Sequence, residues 1–100
     1  MRPLEIEKLE DCFDGSAVFR YRTSVPWTEP AIHALTRFGS LDYFRDFPRP
    51  YFRVRGEGGI EIKGLEGECV CRVTFPRARR EEWRRVWEEF LQERLKHHGD

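Results

Sequence analysis

The sequence predicts an α+β fold: a two-layer sandwich whose largely antiparallel sheet of about five strands carries two helices on one face, in the order ββαβββα. Three observations predict it. Tyr51 to Phe75 holds three short runs, Tyr51-Phe-Arg-Val-Arg55, Ile60-Glu-Ile-Lys63 and Cys69-Val-Cys-Arg-Val-Thr-Phe75, in which apolar and polar residues alternate with a period of two. A further pair of alternating runs flanks Asp14-Gly-Ser16 near the start. Two segments, one after Thr28 and one from about 78 to 96, carry apolar residues at spacings of three and four.

The first hairpin is expected to join Leu4 and Ile6, which alternate with Glu5 and Glu7, to Ala17-Val-Phe-Arg-Tyr-Arg22. Leu9, Asp11 and Cys12 break the alternation and predict a bulge or an early end to the first strand. In the second strand Ala17, Phe19 and Tyr21 are assigned to the core, and Val18, Arg20 and Arg22 to the other face.

Thr28-Glu29-Pro30 is a helix start: a capping hydroxyl, an acid against the positive helix end, and a proline where no amide is missed. Ile32, Leu35 and Phe38 supply the buried stripe and Gly39 the stop. Ser40 to Phe47 is expected to add a helical turn before Pro48-Arg-Pro50 extends the chain. The meander follows, its turns supplied by Gly56-Glu-Gly-Gly59 and Gly64-Leu-Glu-Gly67. Trp83, Val86, Trp87, Phe90, Leu91 and Leu95 then line one face of the last helix, residues 78–96, with 97–100 expected to fray. Glu81/Arg85, Arg84/Glu88 and Arg85/Glu89 are spaced for ion pairs on its other face. Whether the first hairpin pairs with the meander is open. The expected core is Leu4, Ile6, Phe19, Tyr21, Ile32, Leu35, Phe52, Val54, Ile60, Ile62, Val73, Phe75, Trp83, Trp87 and Phe90.

One hundred residues suit one domain with its own core. Lysine plus arginine and aspartate plus glutamate number 18 each, so no global field draws the chain to nucleic acid or an anionic membrane, and such binding requires a local patch. Fifteen of the 18 basic residues are arginine, which suits planar anions and equally reflects codon bias. No run approaches the ~20 apolar residues of a membrane span. The start lacks a signal-peptide core, and three cysteines are an odd number, so a cytoplasmic location with reduced thiols is expected. No cofactor is expected, and G-x-S-x-G, H-E-x-x-H and G-x-x-x-x-G-K are absent, leaving no catalytic residue to nominate.

Three groups of side chains stand out. Arg20, Arg22, Arg53, Arg55 and Arg72, with Lys63 and Tyr51, are expected on the outer sheet face. There they either track phosphates and stack a base, or pair with Glu5, Glu7 and Glu61 across the strands. Arg77, Arg79 and Arg80 open the last helix, where an oxyanion would offset their charge unless Glu81 and Glu82 do so locally. Tyr43, Phe44, Phe47 and Tyr51, with Phe52 and Trp27 near, crowd a proline-rich segment beyond what a short connection buries, as a homodimer or partner surface does. Cys69 and Cys71 share a strand face about 7 Å apart, too far for a relaxed disulfide. Without a second Cys or His pair they read as core residues in preference to metal ligands.

The middle order of helix, three strands and helix resembles the topology of double-stranded-RNA-binding domains. That resemblance implies a phosphate-gripping start to the last helix, where Arg77, Arg79, Arg80 and Arg84 stand. The N-terminal hairpin, the long aromatic connection, the neutral charge and the missing Lys-Lys-x-Ala-Lys signature depart from that pattern. The expected function is that of a small interaction domain acting through self-association or an unidentified protein partner. The second reading is a weak nucleic-acid or anion binder using the arginine face and the start of the last helix.

Overall fold

The computed structural model describes residues 4–98. Its strands are β1 (Leu4–Asp11), β2 (Ala17–Thr23), β3 (Ser40–Phe44), β4 (Tyr51–Arg55), β5 (Glu61–Leu65) and β6 (Val70–Phe75). Helix α1 (Glu29–Ala34) runs into a 3-10 turn (Leu35–Phe38), and α2 spans Arg80–His98. All six strands form one antiparallel sheet in the order β1-β2-β6-β5-β4-β3. The hairpin therefore does join the meander, through β2 and β6. The likeness to the double-stranded-RNA-binding topology is limited accordingly, because β6 sits inside the sheet.

Ser40–Phe44, expected to be helical, is the sixth strand. Its own alternation explains why: Leu41 and Tyr43 turn toward the core and pack against it, while Asp42 pairs with Arg53 and Phe44 with Tyr51. Gly39 carries the 3-10 turn into this strand. A Cβ there would lie 2.3 Å from the Arg55 carbonyl oxygen, and one on Gly56 would lie 2.1 Å from that of Phe38, so the two backbones cross in contact only as glycines. The Thr28 cap forms as expected, its hydroxyl accepting from the Ala31 amide at 3.4 Å. The bulge in β1 falls between Lys8 and Glu10.

Both helical segments lie on one face of the sheet. α2 packs on β6, and the 3-10 turn on β3 and β4. Trp87 is fully buried where the layers meet, its ring 6.0 Å from Tyr21, 6.4 Å from Trp27, 5.4 Å from Phe38 and 5.6 Å from Phe90. Trp27, assigned from sequence to the aromatic surplus, belongs to this core at 1% exposure. Its amide donates to Glu68 O (2.8 Å) and its carbonyl accepts from Gly67 (2.7 Å), fastening the segment before α1 to the β5–β6 turn. Ile6, expected inside, is 41% exposed on the edge strand β1, which α2 meets only at its far end through Arg80 and Asp11. Leu4, Trp83 and Phe90 pack against the core only in part. α2 begins at Arg80, two residues later than expected, and runs to His98; the rest of the expected frayed tail, 99–100, lies outside the described residues.

One tyrosine hydroxyl ties the sheet to α2 and another ties β3 to the β5–β6 turn. The Tyr21 hydroxyl donates to Glu88 Oε2 at 2.7 Å, and Arg84 Nε donates to the same oxygen at 2.9 Å. The Tyr43 hydroxyl donates to Glu66. Burial and then the carboxylate raise both phenols above the ordinary value of 10.0, Tyr43 to about 12. Because its folded value is raised, the stability Tyr43 contributes is complete below pH 10 and is lost as pH climbs through 12, and that of Tyr21 is lost over a range reaching further up. A denaturation series should show stability falling across that window, with Tyr43→Phe flattening it. Gly39→Ala should cost about 1–3 kcal/mol in urea unfolding, since backbone cannot yield to the added methyl.

Candidate functional site

A strand buries one face per alternate residue, so packing both helical segments on one side leaves the other side of the sheet bare. Register then decides what that bare face displays. Its middle row runs Glu7, Arg20, Arg72, Lys63, Arg53, Asp42, each residue directly opposite the next. Four cations thus occupy adjacent central strands, roughly 14 Å end to end at ~4.8 Å per strand, with an acid on each edge strand. A neighbouring row holds Glu5, Arg22 and Val70 on one side and Leu65, Tyr51 and Phe44 on the other. Arg55 stands opposite Glu61 and Ser40 one row further along.

The acids neutralise the flanks. Glu7 pairs with Arg20; Asp42 reaches Arg53 at 3.2 Å and Arg55 at 3.5 Å; Glu61 reaches Lys63 at 3.4 Å. The cross-strand pairing expected from Glu7 is formed, whereas Glu61 engages the lysine and Asp42 does most for the arginines. Among the described residues Arg22 and Arg72 form no ion pair, and both are exposed. They border an open depression of about 620 Å³ whose other lining includes Lys63, Tyr51, Leu65 and Val70. Glu68, the one acid on its wall, is already bound by Arg49.

The aromatic segment continues the same surface. Phe44 and Phe47 stack at 5.8 Å and 13°, and Phe44 and Tyr51 at 5.4 Å and 28°. Phe44 is 37% and Phe47 54% exposed, so the ladder ends in solvent at Phe47 and at the depression with Tyr51. Tyr43 is separated from the other three: alternation turns it to the helical side, against His33 at 5.6 Å. Two groups that share only Tyr51 in the sequence reading, the arginine face and the aromatic segment, are therefore one surface. Val70, read from the sequence as part of the outer face, lines it opposite Arg22, and Leu65, which sequence reading passed over, lines it opposite Tyr51.

The start of α2 is a different environment on the other layer. Arg79, with a positive φ of 59°, donates to Glu82 at 2.9 and 2.5 Å and holds that carboxyl below its ordinary value. Arg80 reaches Asp11 at 3.5 Å, and the Arg77 side chain lies over Gly15. Cys71 is buried, which pushes its thiol well up, and Cys69 is half-buried; both are free. Among the described residues no group of three metal-ligating side chains gathers.

No protein-family model, curated protein or solved structure matches the chain. The functional reading rests on the geometry of the bare face.

Arg72 stands opposite Arg20 on one side and Lys63 on the other, and like charges directly opposed destabilise a sheet. Arg72→Gln should therefore raise Tm by roughly 2–5 °C at low salt, and salt should narrow the gap to wild type. A fall in Tm would mean that the guanidinium contributes packing that outweighs the repulsion.

Proposed function

We propose that this chain is a binding domain whose working surface is the bare sheet face, and that its partner there is anionic. The observation that carries the reading is the unpaired couple Arg22 and Arg72 beside Lys63, on the rim of a depression walled by Tyr51. Like charges opposed in register, as Arg72 is to Arg20 and Lys63, weaken the sheet, and an anion laid over them relieves the repulsion. Self-association, the function first expected, is served less well by the middle of this face. A two-fold dimer centred there sets the cation row against itself. The exposed Phe44 and Phe47 favour self-association as a second reading, through the β3 edge alone. Three free cysteines fit a cytoplasmic location, which belongs to the same proposal.

Inorganic polyphosphate is the probe. At low salt it should bind wild type and be displaced as salt rises. Arg22→Gln with Arg72→Glu should abolish binding, while Arg79→Gln with Arg80→Gln leaves it unchanged. Loss in the second pair alone would move the site to the start of α2, and no binding to wild type would remove the reading. Sedimentation up to several hundred micromolar, on the scale of weak association, should show a monomer unless the β3 edge self-associates, in which case Phe47→Ser restores one.

A further inference from the structure

We infer that the anionic partner is a short segment of single-stranded nucleic acid, an inference that rests on the proposed working surface and names its ligand. Charge alone does not select it, because phosphates, carboxylates and sulfates all satisfy arginines. The second chemistry on the face does. Tyr51 presents a ring to the depression and is backed by Phe44 and Phe47, so a flat π system entering there extends an existing stack. Leu65 and Val70 give that flat group an apolar floor. Tyr51 and Arg53 lie two residues apart on β4, a separation of about 7 Å along the strand. Lys63 and Arg72 continue from Arg53 across the sheet. A ring on Tyr51 is thus set off from the cations by about the distance a sugar holds between a base and its phosphate.

Length follows from the edges. Glu7 and Asp42 close the cation row at both ends, so a long polyanion crossing the strands meets acid on leaving. Two or three phosphates fit between. Duplexes are disfavoured for a separate reason: their bases are already stacked and paired, and a ring standing on a sheet face does not reach them. Acidic peptides supply the charge without the ring.

The test compares an eight-nucleotide single strand, its duplex, polyphosphate and polyglutamate against wild type and three variants, with binding followed by fluorescence anisotropy of a labelled probe. The single strand should bind at least tenfold more tightly than the other three, with log affinity falling against log salt at a slope of about −2 for three phosphates. Tyr51→Ala should weaken the single strand by roughly 5- to 150-fold and leave polyphosphate unchanged. Tyr51→Phe should retain binding, and Arg72→Glu, which relieves repulsion and so keeps the fold, should lose both ligands. Polyphosphate or duplex binding as tightly as the single strand overturns this inference and leaves the anionic face standing. Polyglutamate matching the single strand overturns it in favour of a protein partner. Failure of every probe overturns both.

Discussion

Trp87 is the contact on which the rest of the structure depends. Six strands span roughly 24 Å at ~4.8 Å per step, while a helix with its side chains is about 10–12 Å across. One helix therefore covers two or three strands. α2 lies over the β6 side, α1 and the 3-10 turn cover β3 and β4, and the Trp87 ring fills the seam by touching Tyr21, Trp27, Phe38 and Phe90. With the helical mass spent on closing that seam, nothing remains to cover β1 or the opposite face. Ile6 and the cation row are exposed for the same reason.

What the bare face displays was then fixed by pairing. Arg20, Lys63 and Arg72 are ordinary solvent-facing residues within their own strands, and each alternates with a core residue that sets its direction. Only when β6 inserts between β2 and β5 do they become direct neighbours. Within the row the acids, Glu7 and Asp42, lie on the edge strands and offset the outer members, while Glu61 on β5 reaches Lys63 and Arg72 is left without an ion pair. The neutral overall charge conceals this, because a sum over the chain carries no information about which strands are adjacent.

Much of the fold was legible because its signals are local. The period of two in β2, β4, β5 and β6, the Thr28 cap and the stripe on α2 each arise within a dozen residues and agree with the tertiary structure. Ser40–Phe44 was misread for an equally local reason: Ser40 followed by aromatic residues imitates a capped helical turn, and the alternation of Leu41 and Tyr43 with Asp42 and Phe44 is only five residues long. Trp27 was misplaced because its partners, Phe52 and Trp87, are distant in sequence. The candidate site suffered most. Its members were found one by one, but their union depends on β2–β6 and β3–β4 pairing, neither of which any single segment encodes.

The same distinction separates the two sets of arginines. Arg79 meets Glu82 three residues on, and Arg80 meets Asp11 of β1, so two of the three arginines at the start of α2 are paired. Arg84 is likewise engaged by Glu88 and lies over the Phe19 ring at 4.7 Å. Charges compensated in this way stabilise the element that carries them and leave little for a ligand to gain. Arg22 and Arg72 differ in kind: Arg72 stands between Arg20 and Lys63, and Arg22, between Glu5 and Val70, forms no ion pair among the described residues. A basic residue whose surroundings raise its energy gains more from an incoming anion than one already paired. Under the proposed function, an incoming anion gains most at the uncompensated couple on the sheet, not at the longer run of arginines on the helix.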